Sequence, residues 1–246
     1  MSKIFIAIPC VDKNEDFEAS LTTFLSEIEG SYDVEVHRCI GKKRDEARNE
    51  LVDKFLESDK NFILFLDNDH TGHTKAMLDD LSEKKASVCS IKCYARYFPY
   101  QCVLSTDDDK FNDRYSTTEV NTERGYSKCR FIGFGMVLIS KDVFYSICRP
   151  FFKCDERGEK EDNYFGDKVK AAGFSLIGCF NHTLTHQGID ESNLLTKRKS
   201  GILIDFRKRE KRKVIRNLNK GIQEKRFKVN PEMAEYVEAM DLISQL

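Results

Sequence analysis

Apolar and polar residues follow two different rhythms along the first ninety or so positions of the chain. Short apolar runs of strand length alternate with segments whose apolar residues recur every three or four positions, as they do on one face of a helix. The predicted strands are Lys3–Ile8, Tyr32–Cys39, Phe62–Leu66 and Ala86–Cys93, and the predicted helices are Asp16–Glu29, Arg44–Leu56 and Thr74–Lys84. This alternation predicts an α/β fold, with a mixed, mostly parallel sheet flanked by helices.

The pattern is less regular in the second half of the chain. Tyr94–Tyr126 is polar and rich in Tyr, Asp and Thr, which predicts loops and short antiparallel strands. Three further strands are predicted after it: Phe131–Ser140, which two glycines interrupt, Phe174–Cys179 and Thr183–Thr185. Two further helices are predicted at Asp142–Cys148 and Glu161–Ala172. Thin apolar stripes after residue 195 indicate a helical extension. We therefore expect a main domain at 1–195 and an extension at 196–246.

Charge is distributed unevenly, although the 246 residues have a formal net charge of only −1. Fourteen Lys or Arg residues and three acidic residues lie between 197 and 228. The extension is therefore basic and the rest of the chain is acidic. A solvated helix is the simplest interpretation of such a segment, and binding to nucleic acid or to an anionic membrane surface is the alternative.

The cysteines and the apolar runs bear on the compartment. The chain has nine cysteines, an odd number, and none of them forms a Cys-x-x-Cys pair. This composition favours reduced thiols over a disulfide framework. No apolar run approaches the length of a membrane span, and the first residues are typical of a strand rather than a signal peptide. We expect a cytoplasmic protein, located in the host cell if the chain is viral.

The strongest local signal for chemistry is the stretch "NFILFLDND", in which a buried strand ends in two aspartates. Residues i and i+2 of a strand point to the same side, so Asp67 and Asp69 are expected to share a side. Ligands of open α/β sheets bind beyond the carboxyl ends of the strands. Two carboxylates at this position suit Mg²⁺ or Mn²⁺, which would in turn hold a diphosphate. A polar turn that simply ends the strand is the alternative.

Several motifs around this stretch resemble those of GT-A glycosyltransferases, in particular family 2 and its small viral relatives. In order along the chain they are "IFIAIPC", Gly41 followed by Ala-Arg-Asn at 47–49, the Asp-Asn-Asp run, "FIGFGMVLIS", "EKEDNYFGDKVKAAGFSL" and "THQGI". Together they cover roughly residues 3 to 190. Each motif is weak alone, and their shared order makes the resemblance specific. The polar segment 94–126 matches nothing in that pattern, and the chain has no Trp.

The resemblance implies transfer of a sugar, with inversion, from a nucleoside diphosphate sugar to an acceptor hydroxyl, with UDP as the favoured nucleotide and Mn²⁺ or Mg²⁺ as cofactor. It implies metal ligands at Asp67, Asp69 and His186, and a sugar and acceptor site at Gly133, Phe134 and Gly135. Asp162 would be the catalytic base, with Glu161 beside it. The implied nucleotide-binding residues are Pro9, Cys10, Val11, Arg44, Arg48, Asp67 and Asn68.

Each of these assignments has a structural alternative. His186 is otherwise an ordinary residue near a strand end, and His70 with His73 is a rival pair of metal ligands. Glu161 and Asp162 also suit the first turn of any helix. Arg48 would otherwise form ion pairs on a solvated helix face.

Two other functions remain open at this stage. A nucleotidyltransferase can share the α/β core, although "IPCVDKNED" lacks the Gly-rich loop that such an enzyme would use. The second alternative is a non-catalytic module that binds an anionic surface. The acceptor itself is not specified by the sequence, and the basic segment points to a polyanion, such as DNA that carries a hydroxylated base.

Overall fold

The computed structural model describes residues 2–10, 12–93, 104–106, 125–156 and 160–186. All of them belong to one compact unit, Met1–Asp190. Val11, most of the segment 94–126, the domain boundary near residue 195 and the basic extension lie outside the described residues. None of the helices in the described part has the length and apolarity needed to cross a bilayer.

The predicted alternation of strands and helices is present in the first half of the chain. The strands are β1 (Lys3–Cys10), β2 (Asp33–Ile40), β3 (Phe62–Leu66), β4 (His70–Thr71) and β5 (Val88–Lys92), and the helices are α1 (Glu15–Ile28), α2 (Arg44–Glu57) and α3 (Lys75–Glu83). Asn14 and Thr74 cap α1 and α3 by accepting hydrogen bonds from the backbone three residues later. The helix starts are therefore set by local side chains, as capping preferences predict.

The second half adds five strands and two helices. The strands are β6 (Ser105–Thr106), β7 (Tyr126–Phe131), β8 (Met136–Ser140), β9 (Leu176–Thr183) and β10 (Thr185–His186), and the helices are α4 (Lys141–Ser146) and α5 (Glu161–Ala171). One main sheet has the order β2-β1-β3-β8-β5-β9-β7-β6, and β4 pairs with β10 in a separate two-stranded ribbon.

The main sheet is mixed, with most strands in one direction. β1 runs parallel to β2 and β3, and β5 runs parallel to β9. β8 is antiparallel to both β3 and β5, and β7 is antiparallel to both β9 and β6. Six of the eight strands therefore share a direction, and only β8 and β7 oppose it. The result is the expected α/β fold, with a Rossmann-like mixed, mostly parallel sheet flanked by helices.

Apolar packing covers both faces of the sheet. Ile63 and Phe65 of β3 pack on one face with apolar residues of α2 and α5, while Leu64 and Leu66 pack on the other with α1 and α3. This explains why β3 is an unbroken apolar run rather than an alternating one, since side chains on both of its faces are buried.

One predicted strand was wrong. The range Phe131–Ser140 holds the last residue of β7, the connection 132–135 and the whole of β8, and the two strands lie apart in the sheet. Ile132 and Phe134 are buried like strand residues, so their apolarity hides the break. Within the connection, the Gly133 carbonyl accepts a hydrogen bond from Ser90 Oγ at 2.7 Å.

Candidate active site

The candidate site lies where β3 ends. Leu66, its last residue, is paired with Met136, the first residue of the antiparallel β8, so the glycine-containing connection 132–135 adjoins the Asp-Asn-Asp run. Asn68 is held from both sides: its Nδ2 donates to the Asp12 carbonyl at 2.8 Å, and its carbonyl accepts from Asn14 Nδ2 at 2.7 Å. The loop after β1 and the loop after β3 are thereby tied together.

Asp69 lies between two histidines that come from distant parts of the chain. Its Oδ1 is 2.8 Å from His70 Nδ1, and its Oδ2 is 3.2 Å from His186 Nε2. The short β4–β10 ribbon pairs His70 directly with His186, and their rings stack with centroids 4.3 Å apart. One ligand atom from each of these three residues lies within 4.8 Å of the others.

The chemistry of this cluster fits a divalent cation. Burial would raise the pKa of the Asp69 carboxyl, but the hydrogen bonds with His186 and His70 outweigh it and hold the pKa well below its ordinary value. The carboxylate is therefore ionised and available as a ligand. His70 Nε2 is buried and has no hydrogen-bond partner among the described residues. One carboxylate and two imidazoles suit a transition ion such as Mn²⁺ better than Mg²⁺.

His70 is held in place by close packing. A Cβ built on Gly135 would lie 2.9 Å from His70 Cδ2 and Nε2, so only glycine fits there without a shift of the ring. His73, the partner that the sequence suggested for His70, is instead buried behind it against Phe17 and Phe24. Burial, and then the proximity of His70, lower the pKa of His73 to about 4. The structure pairs His70 with His186 and not with His73.

Asp67 has a different partner from Asp69. Arg48 Nη2 donates to both of its carboxylate oxygens, at 2.7 and 3.0 Å. The same guanidinium donates through Nη1 to Glu161 Oε1 at 2.7 Å. The Arg48 and Glu161 side chains are 1% and 2% exposed, so this is a buried ion pair. Asp67 therefore has a cation of the protein as its partner and is not part of the Asp69–His70–His186 cluster.

The first turn of α5 carries both candidate carboxylates of the Glu-Asp motif. Glu161 is buried against Arg48, and the exposed Arg44 approaches it at 3.4 Å. Burial and then the neighbouring Glu161 charge raise the pKa of Asp162, and the positive charge of Arg48 only partly offsets this. Asp162 is thus a stronger base than an ordinary aspartate, as a group that must accept a proton should be.

The remaining predicted residues lie around this centre. Pro9 and Cys10 end β1 and are buried, and the Cys10 carbonyl accepts from the Gly41 amide at 3.0 Å. Burial raises the pKa of the Cys10 thiol, which leaves it protonated. Phe134 is buried beneath the Arg48 guanidinium at 4.4 Å. Val11 and the Gln187-Gly188 part of "THQGI" lie outside the described residues. His182 bonds to Asp80 at 3.0 Å, apart from the Asp69 cluster.

Comparison with solved structures supports the fold. The chain is similar to A197 from STIV, with a TM-score of 0.51 and 20% identity over 78% of this chain and 87% of that chain. A structure of GalNAc-T7 with UDP, GalNAc and Mn²⁺ has a TM-score of 0.49 and 11% identity, covering 77% of this chain and 44% of that chain. 4-Diphosphocytidyl-2C-methyl-D-erythritol synthase from Anaerococcus prevotii has a TM-score of 0.43 and 12% identity, covering 80% of this chain and 96% of that chain.

These identities are low enough that the likeness concerns the fold alone. No protein-family model matches the chain, and neither does any curated protein. The functional argument therefore depends on the site itself.

Proposed function

We propose that the chain is a metal-dependent glycosyltransferase that moves a sugar, with inversion, from a nucleoside diphosphate sugar to an acceptor hydroxyl. The observation that carries the proposal is the Asp69–His70–His186 cluster beyond the end of β3. Asp67, two residues before Asp69, binds Arg48, and Arg48 binds Glu161, the residue before Asp162. These contacts link the cluster to Asp162, a carboxylate with a raised pKa. A cation-binding group and a general base at one edge of an α/β sheet are the two components that this reaction needs.

Asp69, His70 and His186 would hold the ion. When bound, a divalent cation supplies charge stabilisation for a departing diphosphate, which removes the need for an acid on the leaving group. With two imidazoles in the donor set, we favour Mn²⁺ over Mg²⁺. UDP is the favoured nucleotide, on the resemblance of the motifs.

Asp162 would take the proton from the acceptor hydroxyl. An inverting transfer passes through an oxocarbenium-like state in which the acceptor oxygen attacks the anomeric carbon as the diphosphate leaves. The proton of that hydroxyl must go to a base on the acceptor side. A carboxylate with a raised pKa accepts it more readily than an ordinary aspartate, because its basicity is closer to neutral pH.

For the acceptor we propose a chemical class, a polyanion that carries a hydroxyl. The basic segment 197–228 favours a polyanionic acceptor, and DNA with a hydroxylated base is the form we propose to test. Binding of duplex DNA to the full chain should weaken steeply as salt is raised. No binding at low salt would remove this acceptor and leave the reaction class untouched.

The reaction class is tested by donor binding and donor turnover. A panel of nucleotide sugars is titrated into the full chain by calorimetry, with Mn²⁺ and then with EDTA, and release of free nucleoside diphosphate is followed. We expect one donor to bind only with metal and to be turned over slowly onto water. Asp162→Asn should lower transfer by about 10²- to 10⁴-fold.

The control for Asp162→Asn is Asp167→Asn, since Asp167 is an exposed carboxylate of the same helix, with its side chain 68% accessible. It should leave binding and transfer unchanged. If no donor and no free diphosphate binds in the presence of metal, the transferase proposal is wrong. If instead a nucleoside triphosphate and a sugar phosphate react to release pyrophosphate, the chain is a nucleotidyltransferase.

A further inference from the structure

Arg48 is a buried cation whose two Nη atoms already bind carboxylates of the protein. It lies on α2, and its two Nη atoms donate to Asp67 at the end of β3 and to Glu161 at the start of α5. Its Nε is also buried and has no hydrogen-bond partner in the described part of the chain. The resemblance assigned Arg48 to the nucleotide. The geometry leaves no exposed N–H of Arg48 for a phosphate, unless one of the two buried carboxylates is released.

Two aromatic rings fix the plane of the guanidinium. Arg48 Cζ lies 4.4 Å from the centroid of the Phe134 ring and 5.8 Å from that of Phe152. Phe134 belongs to the glycine-containing connection that contacts His70 through Gly135. The planar guanidinium of arginine suits all of these contacts at once: Nη2 donates to both Asp67 oxygens, Nη1 donates to Glu161, and Cζ lies over the Phe134 ring. Lysine carries its charge on one nitrogen and cannot hold the two carboxylates from two separate nitrogens.

The contacts of Arg48 therefore join three segments that carry the proposed chemistry. They are the Asp-Asn-Asp run after β3, the Glu-Asp pair at the start of α5, and the connection before β8. The start of α5 has little local support: Lys160, the residue before it, has a left-handed backbone and makes no side-chain cap hydrogen bond. The position of the first turn of α5 thus depends on tertiary contacts. The Arg48–Glu161 pair is a buried ionic contact among them.

We propose that Arg48 is a positioning residue that sets the location of Asp162 relative to the metal-binding end of β3, and that Glu161 is its anchor and not a second base. This inference rests on the proposed function. It assigns Asp67 to the same anchor, so that Asp69 alone of the two aspartates contacts the ion. The nucleotide then has to be bound by other groups, of which the exposed Arg44 at the start of α2 is one.

The test separates positioning from nucleotide binding by measuring the two quantities on the same variants. In Arg48→Lys and Glu161→Gln, the dissociation constant of UDP with Mn²⁺ is measured by calorimetry, and kcat is measured with saturating donor. We expect UDP affinity to stay within about 3-fold of wild type while kcat falls by about 100-fold, since a shift of about 1 Å in a catalytic group has that cost.

Arg149→Lys is the matched control, because Arg149 forms an ion pair with Asp53 in which both side chains are exposed, and neither residue belongs to the proposed site. It should change neither quantity. Glu161→Gln removes the charge of the anchor while keeping its volume, so it weakens the buried ion pair and tests the proposal even if Arg48→Lys does not fold. A loss of UDP affinity of 10-fold or more in Arg48→Lys, with kcat retained, would make Arg48 a nucleotide ligand and overturn the proposal.

Two further results would also count against it. Unchanged kcat in folded Glu161→Gln would show that the anchor has no part in positioning. If wild-type protein binds no nucleotide with metal, the proposed function itself fails and the positioning role falls with it. Those two failures are distinguishable, because the first occurs in a protein whose wild type binds and turns over donor.

Discussion

Two aspartates separated by one residue have opposite electrostatic environments in this fold. Asp67 faces a buried arginine that supplies its counter-charge, with Nη2 2.7 Å from Oδ1. Asp69 faces His70 and His186, whose side chains can bind an external cation. The comparison teaches that a paired-carboxylate motif need not hold its ligand with both carboxylates. Here one aspartate is part of the framework and the other is the candidate ligand.

The difference arises from which elements pack against each side chain. α2 lies on the face of the sheet that also receives α5, so Arg48 and Glu161 meet Asp67 there. The β4–β10 ribbon brings His186 next to His70 and Asp69. Substitutions in the two regions should therefore differ in kind: changes around Asp67 should affect folding, and changes around Asp69 should affect metal binding.

The largest expected effect is on stability, in Arg48→Met. Removing the buried cation leaves the Glu161 carboxylate without its partner, and breaking a buried ion pair in this way costs about 3–5 kcal/mol of unfolding free energy. Urea denaturation followed by circular dichroism measures it. Arg38→Met, which removes an exposed pair, should cost less than about 1 kcal/mol. An equally small cost in Arg48→Met would contradict the framework role.

Asp69→Asn should act mainly on metal affinity. Loss of the carboxylate leaves only the two imidazoles, and we expect Mn²⁺ affinity to fall by at least about 100-fold, since even outer-sphere changes cost 10- to 100-fold. The cost in unfolding free energy should be smaller than in Arg48→Met, because the Asp69 side chain is 37% exposed. Calorimetric titration of Mn²⁺ checks this. Asp59→Asn, an exposed carboxylate, is the control, and equal affinity in the two variants would refute the assignment.

Gly135→Ala sharpens the comparison by disturbing His70 without removing a ligand. The new methyl group would lie 2.9 Å from the His70 ring, which must move away. We expect Mn²⁺ affinity to fall by about 10-fold, in the range found when the support of a metal ligand is altered. Gly166→Ala on α5, where the nearest atom is a leucine methyl at 3.2 Å, should leave Mn²⁺ affinity as in wild type. Unchanged affinity in Gly135→Ala would exclude His70 as a ligand.

The smallest expected effect is a slight stabilisation by Asp162→Asn. The raised pKa of Asp162 means that its charged form is less favourable in the folded chain than in the unfolded chain. This penalty is absent below the unfolded pKa and is fully present above the raised folded pKa, so stability falls as pH rises between them. At neutral pH, the Asn variant should therefore be slightly more stable than the wild type. Thermal melts at neutral pH and at pH near 3 measure the difference, and destabilisation at neutral pH would contradict it.

The sequence was informative where local pattern determines structure. The apolar run of β3 and the spacing of α2 predicted both elements closely, and the strand end located the Asp-Asn-Asp run. His186 was predicted from its motif, and it lies beside Asp69. The split of Phe131–Ser140 was missed, because burial of Ile132 and Phe134 looks the same in a strand and in a packed connection.

The roles of Arg48 and His70 depend on partners far away in the chain. Arg48 was predicted to bind the nucleotide, with ion pairs on a solvated helix face as the alternative, since nothing local indicates that Asp67 and Glu161, from distant segments, bind it in a buried position. His70 was recognised as a rival ligand but paired with the wrong residue. Only the pairing of β4 with β10 places it against His186, and two-residue strands leave almost no periodic signal.

The most direct test of the account is the position of Mn²⁺ in crystals of the full chain soaked with Mn²⁺ and UDP. Anomalous scattering near the manganese edge locates the ion independently of any assumption about its ligands. The account predicts a peak bounded by the Asp69 carboxylate and by the imidazoles of His70 and His186, with Asp67 still bound to Arg48. A peak on Asp67 with Arg48 displaced, or no peak near Asp69, would contradict it.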